Sequence, residues 1–391
     1  MTTLHLLEPT ARGLPWAPFE GVRPVSELRA GVPLIRQRWE RALDLTAAAI
    51  LSTDLAGFHE FDEPPVRPVG PVTGPAIVAA SWFAPTGPVR PPAGTRRLTA
   101  AGSTVAWLVA EGSRWDGADD DGPAVPVEGM LLGGASDLLT ALDVLLAADC
   151  EELLAAAPRP GAPEGALVLG DAARVLTLGA TIEPGVVFDV RQGAVIVEAG
   201  AEVRHGTRLE GPCYVGPGCR VLGGFIRGSV FGPRCVVRGE ISASSFIGYA
   251  NKSHDGFVGN SVVGHWVNLG AGTTTSNLKN TYGPVRLDIA GHRVDTGRTN
   301  VGSLIGDHAK TAIGTMLSTG TIVGAGASVF GEGPVPKYVV PFAWGAGNDQ
   351  RQSEAGFLTI AERVMPRRDV PFTDERRQSL AATYRRLTDG T

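Results

Sequence analysis

The chain is poor in lysine, aromatic residues and sulfur-containing residues, and it has no long apolar run. No stretch approaches the roughly 18 apolar residues of a membrane span, so no membrane partner is expected. The opening Met1-Thr-Thr-Leu-His has no basic segment leading into an apolar one. A secretory leader is therefore not expected, and a cytoplasmic location is. The four cysteines, Cys150, Cys213, Cys219 and Cys235, form no CxxC pair and have no metal-ligand spacing. They read as reduced thiols, and no metal is expected from them. An excess of positive charge is also absent. A net charge of −5 over 391 residues speaks against a nucleic-acid partner. Only four of the 35 basic residues are lysine, namely Lys252, Lys279, Lys310 and Lys337. All four fall between 252 and 337. Lysine is a compact, flexible point charge that arginine does not replace, so this clustering marks the window as one that carries a site.

What remains is rich in glycine, with 52 residues, and 43% hydrophobic, as expected of a two-domain globular protein. Residues 1–160 read as mixed α/β. Leu34, Ile35, Trp39 and Leu43 share one face of a helix within 28–43. Ser136 is placed to cap a second helix striped by Leu138, Leu142, Leu145, Leu146 and Leu153. Proline and glycine clusters at 64–75 and 84–94 separate short strands at 77–82 and 103–110. Residues 157–165 read as a linker.

From about 166 the period changes to six. Val197, Val203, Leu209, Val215 and Val221 recur in step, as do Phe231 and Val237, Val263 and Leu269, and Ile305 and Val323 at three steps. A six-residue repeat predicts a parallel β-helix over 166–345, each hexad forming one flat side of a triangular coil with its aliphatic residue inward. Two segments break the pattern, 251–257 and 273–303, the second with a hairpin at 285–295. Insertions in a solenoid mark its binding face. Residues 346–391 read as a helical tail, with Phe357, Ile360, Ala361 and Val364 on one helix. Thr373 then caps another helix that carries Leu380, Tyr384 and Leu387. The tail is expected to cover the open end of the solenoid.

Acyl transfer to an amine needs a base, donors for the oxyanion, and positive charge where the acceptor carries phosphate. His254 lies at the first break and is the candidate general base. His265 and His308 fall within regular hexads and read as surface or interface histidines. The segment Asn251-Lys-Ser-His254-Asp-Gly-Phe257 through Val267-Asn268-Leu-Gly-Ala271-Gly-Thr to Asn277, continued by Ile305-Gly-Asp-His-Ala-Lys310, resembles one known family. That family is the bifunctional UDP-N-acetylglucosamine pyrophosphorylase/glucosamine-1-phosphate acetyltransferases, in a variant with an atypical N-terminal half. The resemblance implies a left-handed β-helix and acetyl-CoA or another acyl-CoA as co-substrate, with a sugar phosphate or nucleotide-sugar as the other substrate; a homotrimer is expected because the prism has three flat sides and Trp266 marks one of them as covered. Beside His254 as catalytic base, the chemistry makes Asn268 and Asn277 candidates to bind acceptor hydroxyls and Lys252, Lys279 and Lys310 candidates to meet the phosphates of the sugar or of CoA. Ala271, Lys310 and Thr315 are implied to line the acyl-CoA groove. Phe257 and Ser242 stand where the family has a tyrosine and a phosphate-binding lysine.

The N-terminal stretch Gly21-Val-Arg23-Pro-Val-Ser-Glu27-Leu-Arg29-Ala-Gly31 resembles the phosphate loop of sugar nucleotidyltransferases. The glycine-rich run that precedes this loop is replaced here by residues 7–15, and the Pro-Lys of the signature is missing. Arg23 and Arg29 are the nucleotide-binding candidates. Mg²⁺ is expected only if this shortened domain is active, and neither Asp54 nor Asp137 is singled out to hold it. Two further readings stand beside acyl transfer. One is a sugar-1-phosphate nucleotidyltransferase that uses the β-helix to trimerise, and the other is a non-catalytic nucleotide-sugar-binding scaffold.

Overall fold

The computed structural model describes residues 1–9, 14–117, 121–157 and 161–388. It has an α/β half, a parallel β-helix and a short helical tail, the architecture expected. Parts of the segments at 7–15 and 157–165, namely 10–13 and 158–160, lie outside the described residues.

The first half is a seven-stranded mixed sheet. Thr3–Leu7 lies near its middle, parallel to both Ala47–Ser52 and Ala76–Ala80. Ser103–Val109 then runs antiparallel to Ala76–Ala80. Helix α1 (Ile35–Leu43) is shorter than its apolar pattern, because Ala30 to Leu34 form a turn that ends on Leu34. Helix α2 (Asp137–Ala156) begins at Ser136 as expected, but the Ser136 side chain makes no capping bond. Asp137 accepts from the Gly133 amide at 2.6 Å instead.

In the β-helix the inward aliphatic residues stack as the repeat predicts, with Val197, Val203, Leu209, Val215, Val221, Ile305 and Val323 all fully buried. The three faces differ. On the face built from Val195–Val197, Cys213–Val215, Val262–Val263 and Ser303–Ile305, the outward residues are apolar too. Leu176, Ile196, Tyr214 and Val230 pack on Leu142, Leu146 and Cys150 of α2. Val262, Leu304 and Ile322 join the core of the first half, and so do Val285, Leu287 and Ile289 of the hairpin. One continuous apolar core therefore joins sheet, hairpin and solenoid. At about 25 cal/mol per Å² of apolar surface, such contact is strongly stabilising.

The corner after this face is unusual. Glycine normally fills left-handed corner positions, yet Arg234, Tyr249, Trp266, His308 and Phe342 adopt φ of 54°, 55°, 61°, 60° and 59° here. The strain coincides with a stack of rings: Tyr249 and Trp266 are 4.6 Å apart, and Trp266 and His308 are 6.1 Å apart. Helices α3 (Glu354–Val364) and α4 (Asp374–Thr388) do not cap the solenoid's end as expected. They run back along this corner, where Phe357 meets Phe342, and Met365 and Val370 cover Trp266. Trp266 is thus buried by its own chain and does not report a subunit contact. His265 and His308 lie at this interdomain interface.

Burial of His308 pushes its pKa from 6.5 down to about 3, with Lys310 adding to the effect. Its Nδ1 makes no hydrogen bond. An unfolded chain takes up this proton below about pH 6.5, whereas the folded protein resists it to about pH 3. His308 therefore costs no stability above that window, and stability falls as pH drops through it. Urea midpoints measured from pH 7 to pH 4 are expected to fall less steeply in His308→Asn, since asparagine tolerates the left-handed corner. Equal slopes would show that His308 is not buried neutral.

Candidate functional site

His254 stands exposed on the corner between the face of Asn251–Lys252 and the face of Phe257–Gly259. This is not an insertion, as the broken sequence pattern suggested. Corner 253–256 has the same four residues as corners 270–273 and 312–315 of the next two coils. What breaks the repeat is Lys252, which takes an inward aliphatic position paired with Val237. It is 0% exposed, so it lies inside the coil and not on a substrate-facing surface.

The corner is tied down from several sides. The Lys252 ammonium donates to the carbonyls of His254 and Asp255, the latter at 2.9 Å. Gly272 N–H donates to the Asp255 carbonyl at 2.9 Å. Arg238 pairs with the Asp255 carboxylate at 3.0 Å. Asn251 donates to Asn268 at 2.7 Å, and Arg368 of the tail donates to Asn251 at 3.1 Å.

The structure brings His254, Asn268, Ala271, Lys310 and Thr315 together along this corner and the face before it. The Ala271 carbonyl accepts from Gly314 N–H on the next coil, and Thr315 lies one residue beyond. Lys310 pairs in register with Asn268 and donates to the His308 carbonyl at 3.0 Å. A groove of about 420 Å³ opens beside Thr315, lined by Ile313, Met316, Phe330 and Val335. Ile313 and Met316 are 83% and 79% exposed, an uncommon display for apolar side chains.

Asn277 and Lys279 lie elsewhere. Asn277 is at the far edge of the Phe257–Gly259 face, where it donates to Asn260 at 2.7 Å. Lys279 donates to the Pro284 carbonyl at the root of the hairpin excursion. A polar cleft of about 640 Å³ runs along that edge, lined by Arg227, Ser242, Asn260, Asn277 and Asn300 among others. Within one chain His254 and Asn277 therefore sit on opposite edges of one face.

Arg23 and Arg29 both border a cleft of about 330 Å³ that Arg36, Gln37, Arg41 and Tyr249 also line, with Arg23 buried and Arg29 partly exposed. Arg23 is 2% exposed and clamped between Glu60 at 2.6 Å and Asp307 at 2.7 Å. Glu60 also accepts from His265 at 2.9 Å and Trp266 at 2.7 Å. Burial works against the Glu60 charge, but Arg23 and His265 outweigh it and hold the carboxyl well below its usual range. Arg29 donates to the carbonyls of Ile247 and Val32. The turn's amides are taken as well, since the buried Glu8 carboxylate accepts from Val25 N–H at 2.5 Å and Ser26 N–H at 3.2 Å. The loop that resembles a phosphate cradle thus docks the first half on the β-helix. Among the described residues no three His, Cys, Asp or Glu side chains converge to hold a metal. Asp137 accepts from Gly133 N–H at 2.6 Å.

No family model matches the chain. It is 31% identical over 149 residues to the bifunctional sugar-1-phosphate nucleotidylyltransferase/acetyltransferase of Sulfurisphaera tokodaii, over 36% of each chain. It is 30% identical over 185 residues to the bifunctional protein GlmU of Jannaschia sp., over 46% of this chain and 36% of that one. Against GlmU of Methanococcus vannielii it is 36% identical over 90 residues, 23% of this chain and 22% of the other. The chain thus spans about a third or less of the length of these curated relatives. The resemblance read from the His254 segment holds as a likeness to bifunctional proteins of these names over part of the chain.

Sequence reasoning missed Arg227 and Asn260. A signal was present for Asn260: both Asn251–Asn268 and Asn260–Asn277 are separated by 17 residues, and both pairs stack on successive coils. Arg227 gave none, because outward arginines are common throughout this chain.

Removing one member of a buried, hydrogen-bonded ion group costs about 3–5 kcal/mol, because the charges left behind stay desolvated. Arg23→Met is expected to lose about that much stability in urea unfolding. Normal stability with weakened nucleotide binding would return Arg23 to a phosphate-binding role.

Proposed function

We propose that the protein is an acyltransferase that moves an acyl group from acyl-CoA, acetyl-CoA in the simplest case, to the amine of an amino-sugar phosphate, with His254 as general base. The observation that carries this reading is the exposed imidazole of His254, held on a pinned corner in line with Ala271, Thr315 and an apolar groove. The groove suits the pantetheine arm of the donor. The acceptor amine attacks the thioester carbonyl as His254 takes its proton. A C–N bond forms, the C–S bond breaks, and the thiolate leaves with the proton that His254 returns. Asn268 orients acceptor hydroxyls, and Lys310 supplies positive charge beside it. A sugar nucleotide is a weaker candidate, since Arg23, Arg29 and the turn amides are already engaged.

His254→Ala is expected to lower turnover by about 10²–10⁴, the usual worth of a general base. The folded state should be unchanged, because the side chain is exposed and leaves no cavity. Thioester consumption assayed over a panel of amino-sugar phosphates reads this directly. Unchanged turnover would remove His254 from the chemistry.

The active form is a cyclic homotrimer in this reading. One face of the prism is covered by the chain's own α2 and first half, which leaves the His254 and Asn277 edges of the next face for neighbours. A heterologous contact closing after three copies sets the Asn277 edge, with Arg227 and Lys279, against His254 of the adjacent chain. Light scattering at micromolar concentration should give three times the chain mass, and a monomer would overturn this arrangement.

A further inference from the structure

We propose that Lys252 is a positioning residue for His254, acting from inside the β-helix through its ammonium on the two carbonyls of the corner. The inference rests on His254 being the base, and it concerns a residue that the sequence assigned to substrate. The inward column at this position runs Val203, Val221, Val237, Lys252, Leu269, Thr311 and Val329. An ammonium here is costly to bury unless its protons are used. They are used on His254 and Asp255, the two residues at the tip of the corner.

The corner has no slack with which to replace this anchor. Gly256 has φ of +131°, and a Cβ on it would lie 2.3 Å from the Thr273 carbonyl and 3.2 Å from Lys252 Nζ. The chain between Lys252 and Phe257 is therefore pressed onto the next coil, with its carbonyls held from below. The polar interior continues down the same corner. Thr311 Oγ1 accepts from Gly270 N–H at 3.1 Å and lies 2.8 Å from Thr273 Oγ1. Three successive coils thus place polar groups under the corner that carries the histidine, apart from the buried Ser229–Ser244–Ser261 ladder at another corner. Burial lowers the Lys252 pKa to about 8, with Asp255 opposing the shift. The side chain therefore still carries its proton near neutral pH.

Methionine matches the length of lysine and suits a column between Val237 and Leu269. Lys252→Met is expected to fold, to lose 10- to 100-fold in kcat, and to keep KM for donor and acceptor within about twofold. A raised KM at unchanged kcat would place Lys252 on substrate and overturn the proposal. The His254 ring signals of labelled protein, assigned by their loss in His254→Gln, are expected to shift or broaden in Lys252→Met. Unchanged ring signals would overturn the positioning role even if no acyl transfer is ever detected, so the two readings fail separately. If the variant does not fold, protein that keeps Lys252 still decides. Of the four lysines, Lys310 is also buried and bonded to a carbonyl, so the slowly exchanging ¹⁵N ammonium signal that persists in Lys310→Met is the one that reports Lys252. Fast exchange at all four would rule out the internal anchor.

Discussion

One face of the β-helix is apolar on both sides, and the rest of the molecule is arranged around that constraint. The inward side of Val195–Val197 and its successors fills the coil, as any hexad must. The outward side, Leu176, Ile196, Tyr214, Val230, Val262, Leu304 and Ile322, cannot be left in water without exposing a continuous stripe. Helix α2 and the first sheet cover it, and the hairpin at Arg286–Asp295 closes the gap beside them. The tail seals the neighbouring corner. Two faces and the corner between them remain open, and His254 stands on that corner. The proposed acyl-transfer site lies on this uncovered part of the solenoid, beside the exposed Ile313 and Met316.

The same docking explains the altered N-terminal loop. A phosphate cradle needs free amides and a cation that faces solvent. Here Glu8 occupies the amides of Val25 and Ser26, and Glu60 and Asp307 neutralise Arg23. A buried guanidinium must find such partners, and the partners come from both halves of the chain. Once Asp307 of the solenoid satisfies Arg23, that guanidinium is engaged within the chain, and the cationic side chains left on the neighbouring cleft are Arg29, Arg36 and Arg41.

The β-helix and its inward residues were legible because the signal is periodic: a stack of flat coils demands an aliphatic side chain every sixth residue. The helices at 137–156, 354–364 and 374–388 were legible for the same reason at a period of 3.6. The coverage of the solenoid was not legible. Tyr249, Trp266, His308 and Phe342 occupy left-handed corners that residue type alone assigns to glycine, and only their mutual stacking explains them. Corner 253–256 looked like an insertion because an inward lysine hides the repeat, although the backbone keeps its step. His254 was found through a local pattern. The clamp on Arg23 depends on Glu60 and Asp307, 37 and 284 residues away, and no local pattern reaches that far.

Lysine use in this chain has a physical explanation that arginine-rich composition alone does not give. All four ammonium groups donate to backbone carbonyls: Lys252 to His254 and Asp255, Lys279 to Pro284, Lys310 to His308, and Lys337 to Thr319. Each of these carbonyls lies outside a regular strand, and a tetrahedral donor on a flexible stem can approach such an oxygen from any side. The planar guanidinium carries its donors in a fixed fork that fits carboxylates. Many arginines here pair with carboxylates, as Arg36 does with Glu27, Arg38 with Asp149, Arg191 with Asp189 and Arg385 with Glu354, while others, among them Arg29, Arg376 and Arg386, also donate to backbone carbonyls. What sets the lysines apart is that, in all four, the bonded partner is a loop carbonyl and not a carboxylate. The clustering of lysine in 252–337 therefore marks the part of the β-helix whose corners and excursion depart from simple hexads, and His254 lies within it.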